Sequence, residues 1–236
     1  MVDAEVQPKK KSDLGVRLVS ALVMLAVLFG AFAAGELWFD AFVVAVTLVT
    51  FAEFVRLVLK ATDNPAYRIA GIVAGAFYIG LAGMVIVGLD SYYLLAAVGV
   101  VIATDVGAYF MGRGIGGPKI APSISPSKTW AGLFGGMLLA AVFLILMVGA
   151  FHYTSGYKTW GELFAVAWPD AAGAAVVGAI LAITAQFGDF FQSWLKRKAG
   201  VKDSSNLIPG HGGFFDRTDG LLPVALIAGF IGATFT

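Results

Sequence analysis

At 236 residues the chain could fill one or two soluble domains, but 59% of it is hydrophobic and only 13% is charged. With a mean hydropathy of +0.86, no water-soluble core of this size absorbs so much apolar surface, so the solvent must be lipid. The net charge of +1 points to no particular partner, and the absence of cysteine excludes disulfides and thiolate metal sites.

The chain opens on a basic run, Lys9-Lys10-Lys11, which has the look of a signal-peptide n-region. The apolar segment after it is long, lacks a clear cleavage site and is followed by many more, so it is expected to be retained as a first helix. A helix needs about 20 apolar residues to cross a bilayer. Seven stretches approach that length: 17–34, 41–59, 69–88, 92–111, 131–151, 171–195 and 221–236. The expected fold class is therefore all-α, a polytopic integral membrane protein of about seven transmembrane helices. No internal repeat, low-complexity tract or soluble domain is visible. Residues 1–90 read as scaffold helices, and residues 91–236 as a catalytic membrane region with cytoplasmic loops at 112–130 and 196–220.

Charge then orients the bundle. With the N-terminus in the cytoplasm and the spans alternating, all of the sixteen Lys and Arg except Lys158 fall on the cytoplasmic side, as the positive-inside rule requires. The opposite side carries acids and aromatics instead, among them Glu36, Trp38, Asp40, Asp90 and Tyr92. The expected location is the inner, cytoplasmic membrane of a cell, with the site facing the cytoplasm.

Chemistry concentrates between Ser193 and Asp219, S-W-L-K-R-K-A-G-V-K-D-S-S-N-L-I-P-G-H-G-G-F-F-D-R-T-D. Asp189, Ser193 and Lys196 stand at i, i+4, i+7 and share one helix face. Asp216 and Asp219 are three apart and could hold one cation between them if that turn is helical. Hard oxygen donors without cysteine favour Mg²⁺ over zinc, and a cation with Lys, Arg and glycine-rich turns suits a phosphate or polyphosphate. Three acids lie inside apolar segments: Glu53, Asp105 and Asp189. Each precedes the cytoplasmic end of its helix by seven residues, about 10 Å in depth, so together they suggest a polar cavity.

The bland readings compete. Lys196-Arg197-Lys198 is what topology alone would place at a helix end. Glu53, with Arg56 three residues on, reads as a helix-surface pair, whereas Asp105 has no basic neighbour and reads as functional. His152 sits at the far interface and reads as incidental. His211 in P-G-H-G-G is flanked by glycines that let backbone approach a ligand. Gly112, Gly114 and Gly117 spell G-x-G-x-x-G but follow a lipid-facing helix and no strand, so a dinucleotide fold is rejected. Ser125, Ser127, Lys128 and Thr129 could cap the following helix. Beside the second basic loop, a phosphate-binding helix N-terminus is the preferred reading.

These residues resemble the signature of the CDP-diacylglycerol synthases, or phosphatidate cytidylyltransferases, without a gap from Ser193 to Asp219. Asp105 to Arg113 and Ser125 to Gly132 look like that family's two other landmarks. The resemblance implies transfer of a cytidylyl group from CTP to phosphatidic acid. It implies a cofactor of one or two Mg²⁺, with Mn²⁺ as a substitute and a monovalent cation as an open addition. Asp189, Asp216 and Asp219 would be the metal ligands, and Lys196, Asp216 and Arg217 the catalytic residues, with Lys128 helping to neutralise phosphate. Substrate contacts would come from Asp105, Ser125, Lys128, Thr129, Ser193, Arg197, Lys202, Asp203, His211, Gly212 and Gly213. The expected partners are CTP, phosphatidic acid and membrane lipids, without nucleic acid, and a homodimer is left open. The rival readings are a CTP-dependent enzyme of another lipid, such as a polyprenol kinase or ether-lipid cytidylyltransferase, and a cation-coupled secondary transporter. The absence of repeated halves counts against the transporter.

Overall fold

A computed structural model describes residues 14–154, 156 and 160–235; Lys9 to Lys11 and Lys158 lie outside the described residues, as does the side chain of Arg17. In chain order the elements are α1 (Leu14–Ala33), α2 (Glu36–Ala61), α3 (Pro65–Gly88), α4 (Ser91–Gly114), β1 (Lys119–Ala121), β2 (Ser125–Thr129), α5 (Trp130–Thr154), α6 (Trp160–Lys198), α7 (Phe215–Thr218) and α8 (Leu221–Phe235). Five helices are long and apolar enough to cross a membrane, and shorter apolar stretches run through Leu18–Ala33 and Leu221–Thr234. The chain is an all-α polytopic membrane protein, and its five long helices and two shorter apolar ones overlap the seven apolar stretches.

Local chemistry sets the helix starts. Asn64 accepts from the backbone N–H of Ala66 at 2.9 Å, with Pro65 in the first turn, where its missing N–H costs nothing. Asp90 caps α4 through the N–H of Tyr92 at 2.8 Å. The sixth apolar stretch is longer than expected: α6 begins at Trp160, eleven residues before Ala171, and the helix continues through Pro169.

The interior forms two main clusters. One is built on α4, α5, α6 and α8 around Ala97, Val100, Ala140, Ala182 and Val224; the other on α2, α3, α6 and α8 around Phe54, Leu57, Ile79, Leu195 and Phe215. Between α4 and α5 the backbones nearly touch, since a Cβ on Gly107 would strike the carbonyl of Gly135. Lipid offers no hydrophobic drive for helix pairing, so small residues that allow such contact do the work.

Two connections at one end of the bundle are structured. Residues 119–129 form an antiparallel ribbon, β1 against β2, pairing Lys119 with Thr129 and Ala121 with Ser125. Residues 199–214 fold back over the ends of α2 and α6 and close on themselves where the N–H of Ile208 donates to Gly212 at 2.8 Å. The ribbon replaces the loop expected over 112–130, because three- and five-residue strands are too short for alternation to declare itself.

Candidate active site

Between the ribbon end of the bundle and the 199–220 segment lies a cavity of about 260 Å³, lined by Asp105, Asp189, Gln192, Lys196, Asp203, Asp216, Arg217 and Asp219 among others. Helix α4 contributes Asp105, and α6 contributes Asp189, Gln192 and Lys196 from one face. Gly188 permits the arrangement: a Cβ there would run into the backbone carbonyl of Asp219, so only glycine brings α6 close enough to set Asp189 against the Asp219 turn.

The carboxylates divide into two kinds. Asp216 is saturated. One oxygen accepts from Lys196 Nζ at 2.7 Å and Gln192 Nε2 at 2.8 Å; the other accepts from the N–H and hydroxyl of Ser204, each at 2.8 Å, and from the N–H of Gly213 at 2.9 Å. Burial would raise its pKa, but the bonds from Lys196, Gly213 and Ser204 outweigh that and hold the carboxyl below the ordinary range. Asp219, in the turn before α8, is pushed the other way, first by burial and then by the charge of Asp189, against a weaker pull from the Gly220 N–H. Asp189 pairs with Lys128 and accepts from Ser193 Oγ at 3.3 Å.

Lys128 reaches this wall from β2, where its ammonium also donates to Gln186 Oε1 at 2.6 Å and lies 5.0 Å from the Phe190 ring centre. Its neighbours behave differently. Thr129 is 3% exposed and its hydroxyl accepts from the N–H of Gly132 at 3.0 Å. It caps α5, as one of its two expected roles requires. Ser125 is buried at the start of β2. Arg197 points to the ribbon, donating to the carbonyl of Ile124 at 3.3 Å, and Lys202 is exposed. These two basic residues are not brought to the cavity wall.

Arg217 clamps the glycine-rich turn, with Nε and Nη2 donating to the carbonyl of His211 at 3.1 and 2.9 Å. His211 Nδ1 is buried without a hydrogen-bond partner among the described residues. Gly212 holds a φ of +82°, a conformation glycine adopts without strain. At Gly213 a Cβ would fall onto Ser204 Oγ and the Glu53 carboxylate.

Glu53 itself overturns the surface-pair reading. It is 2% exposed and accepts from Ser204 Oγ at 2.8 Å, Ser205 Oγ at 2.6 Å, and the N–H groups of Phe214 and Phe215 at 3.2 and 2.8 Å. The signal was present in the sequence: Glu53 falls in the stripe Thr50, Phe54, Leu57 that α2 buries, so it faces inward. Gln192 was also missed, although it stands three residues from Asp189 on the cavity face. The depth argument thus holds for Asp105 and Asp189, which share the cavity, whereas Glu53 sits behind the glycine-rich turn.

Among the described residues no three acidic or histidine side chains stand together as a ready cation cage. Mg²⁺ does not require one, since it commonly takes one or two carboxylates and completes its shell with water and substrate phosphate. The pair Asp189 and Asp219, with Asp105 beside them, fits such an ion. Asp216, the third carboxylate of the expected set, has both oxygens already accepting hydrogen bonds. A second hollow of about 590 Å³ lies at the other end of the helices; Glu36, Asp40 and Asp90 line it without any Lys, Arg or His, a poor place for a polyphosphate.

Comparison with known proteins agrees with this geometry. A family model described as "Cytidylyltransferase family" matches residues 86–235. The chain is 39% identical over 170 residues to a phosphatidate cytidylyltransferase of Brucella suis, covering 69% of this chain and 57% of that protein. It is 31% identical over 231 residues to one of Rickettsia bellii, covering 96% and 94%, and 37% identical over 130 residues to one of Haemophilus influenzae, covering 55% and 42%. The chain thus spans less than two thirds of the Brucella and Haemophilus relatives. Matched across most of its own length, with the cavity walls from α4 to α8 inside the matched segment, the chain belongs to the cytidylyltransferase family.

Proposed function

We propose that the chain transfers a cytidylyl group from CTP to phosphatidic acid, releasing CDP-diacylglycerol and pyrophosphate, at the cytoplasmic face of a cell's inner membrane. The observation that carries this is the cavity itself, where Asp105, Asp189 and Asp219 meet Lys128, Lys196 and Arg217 at one end of an apolar bundle. A lipid phosphate reaches such a site from the bilayer and a nucleotide reaches it from water. The names of the relatives support the same pair of substrates.

An oxygen of the lipid phosphate attacks the α-phosphorus of CTP. The bond from that phosphorus to the bridging oxygen of the β-phosphate breaks, and pyrophosphate leaves with the electron pair. The attacking group is already an anion, so no side-chain nucleophile is needed. Two anions must approach each other, and the protein's task is to cancel charge and fix direction. Lys196, held by Asp216, and Lys128, held by Asp189, present ammonium groups to the site, and Arg217 keeps the glycine-rich turn closed. Asp189 and Asp219 would hold Mg²⁺, with Mn²⁺ as a substitute; when bound, the ion neutralises phosphate oxygens and steadies the leaving pyrophosphate.

Labelled CTP, phosphatidic acid and Mg²⁺ incubated with the purified full chain should put label in the lipid phase. Failure to do so, with pyrophosphate also absent, removes the reading. Orientation is tested separately in the cysteine-free background. Asn206→Cys should react with an impermeant thiol reagent only from the cytoplasmic side, and Glu36→Cys only from the other.

A further inference from the structure

Glu53 lies on α2, outside the segment that the family model matches, yet its carboxylate is bonded directly to the segment that closes the site. Its carboxylate collects four donors from the 199–215 segment: two serine hydroxyls and two consecutive backbone N–H groups. The hydroxyl of Ser204 stands 2.8 Å from both Glu53 Oε2 and Asp216 Oδ2 and has a single proton to share between them. Asp216 in turn holds Lys196. The series Glu53, Ser204, Asp216, Lys196 therefore runs unbroken from the scaffold to a cation on the cavity wall.

We infer that Glu53 is a positioning residue of the reaction, the buried anion around which the glycine-rich turn is folded and through which Asp216 and Lys196 are set in place. This rests on the proposed cytidylyl transfer for its catalytic consequence, though not for the geometry. A buried carboxylate with four donors holds them because each bond to a charged acceptor is stronger than one to a neutral group. Glutamine in its place keeps the size but turns an N–H₂ toward two of those donors, leaving groups unsatisfied where water does not replace them. The turn then loses its register, and with it the direction of Asp216 and Lys196. Glu53 touches no surface of the cavity, so lipid binding should be spared while the chemical step suffers.

The test uses the full chain in one detergent. Glu53→Gln should lower kcat at least about tenfold and leave the KM for phosphatidic acid within about twofold. Glu53→Asp, which keeps the charge, should recover to within about threefold of the parent. A second readout needs no turnover. Ile208→Cys, buried under the turn at 6% exposure, should react with a thiol reagent at least about tenfold faster in the Glu53→Gln background, while Ala140→Cys in the α4–α5–α6–α8 core should not change. A Glu53→Gln enzyme with the parent's kcat, an Asp variant as impaired as Gln, or an unaltered Ile208→Cys labelling rate would each overturn the inference. A parent chain without cytidylyl transfer would instead refute the proposed function, and the labelling rates would still decide whether Glu53 holds the turn.

Discussion

Two regions at the same end of the molecule treat carboxylates in opposite ways. Behind the glycine-rich turn, Glu53 and Asp216 are each surrounded by donors and share the hydroxyl of Ser204 between them. Across the cavity, Asp219 and Asp189 face each other with fewer donors, and the charge of Asp189 makes Asp219 harder to ionise. The first region is an electrostatically finished structure, and burial there costs little because every lone pair is used. The second is unfinished, and a cation is the group that would complete it. Buried charge therefore has two meanings in this protein, and hydrogen-bond saturation separates them.

The sharpest way to break that contrast is to neutralise one member of the unfinished pair. Asp189→Asn and Asp219→Asn should each reduce cytidylyl transfer by about 10²–10³, or roughly 3–4 kcal/mol of transition-state stabilisation. Melting temperature should hold or rise for Asp219→Asn, because a repulsive charge is gone, whereas Asp189→Asn also gives up the pair with Lys128. Initial rates at saturating Mg²⁺ with melting curves in the same detergent decide it; activity within threefold of the parent would remove that residue from the site.

Asp216→Asn should behave differently. It breaks a pair in which the carboxylate side chain is 7% and the lysine 15% exposed, a change typically worth about 3–5 kcal/mol when one buried partner is lost. Both activity and melting temperature should fall together. An inactive but fully stable Asp216→Asn protein would show that its donors are dispensable and would place Asp216 in the metal set.

The pH dependence of stability should also have opposite signs in the two regions. The folded pKa of Asp216 lies below its unfolded value, so its contribution is complete above that unfolded value and is lost as pH falls through the folded one. Asp219 is raised to about 8: the folded state binds the extra proton, so stability declines as pH rises from the unfolded value near 4 toward 8. Without divalent cations the melting temperature should therefore drop on the alkaline side, and Mg²⁺ should lessen that drop. A flat alkaline limb in EDTA would argue against the crowding of Asp189 and Asp219.

The smallest effect is expected at Thr129. Its loss as an α5 cap in Thr129→Ala should cost about 1 kcal/mol of stability and leave the KM for CTP unchanged. A KM raised tenfold would place Thr129 in the phosphate site.

Much of this was legible beforehand for a plain physical reason. Seven apolar stretches in a chain with so few charges leave no fold but helices across lipid, because unpaired backbone is intolerable there. The motif from Ser193 to Asp219 also announced its polar character without help. What stayed hidden were partnerships between residues far apart in sequence. Glu53 and Arg56 made a plausible local pair, and nothing within α2 reveals that Ser204 and Phe215, more than 150 residues later, supply stronger donors. For Thr129 phosphate binding is the preferred reading from sequence, and only the 3.0 Å bond from Gly132 reveals that its hydroxyl caps α5.

The sequence by itself determined the solvent and the helices, since both follow from composition and the length of apolar runs, and its motifs carried the resemblance to the family. Tertiary structure alone decided which carboxylates are satisfied and which face one another. That depends on where Gly188 lets α6 meet the Asp219 turn and where Gly213 lets the loop settle onto Glu53. Charge interacts through space and is tuned by the donors that happen to surround it, and no spacing along one helix contains that information.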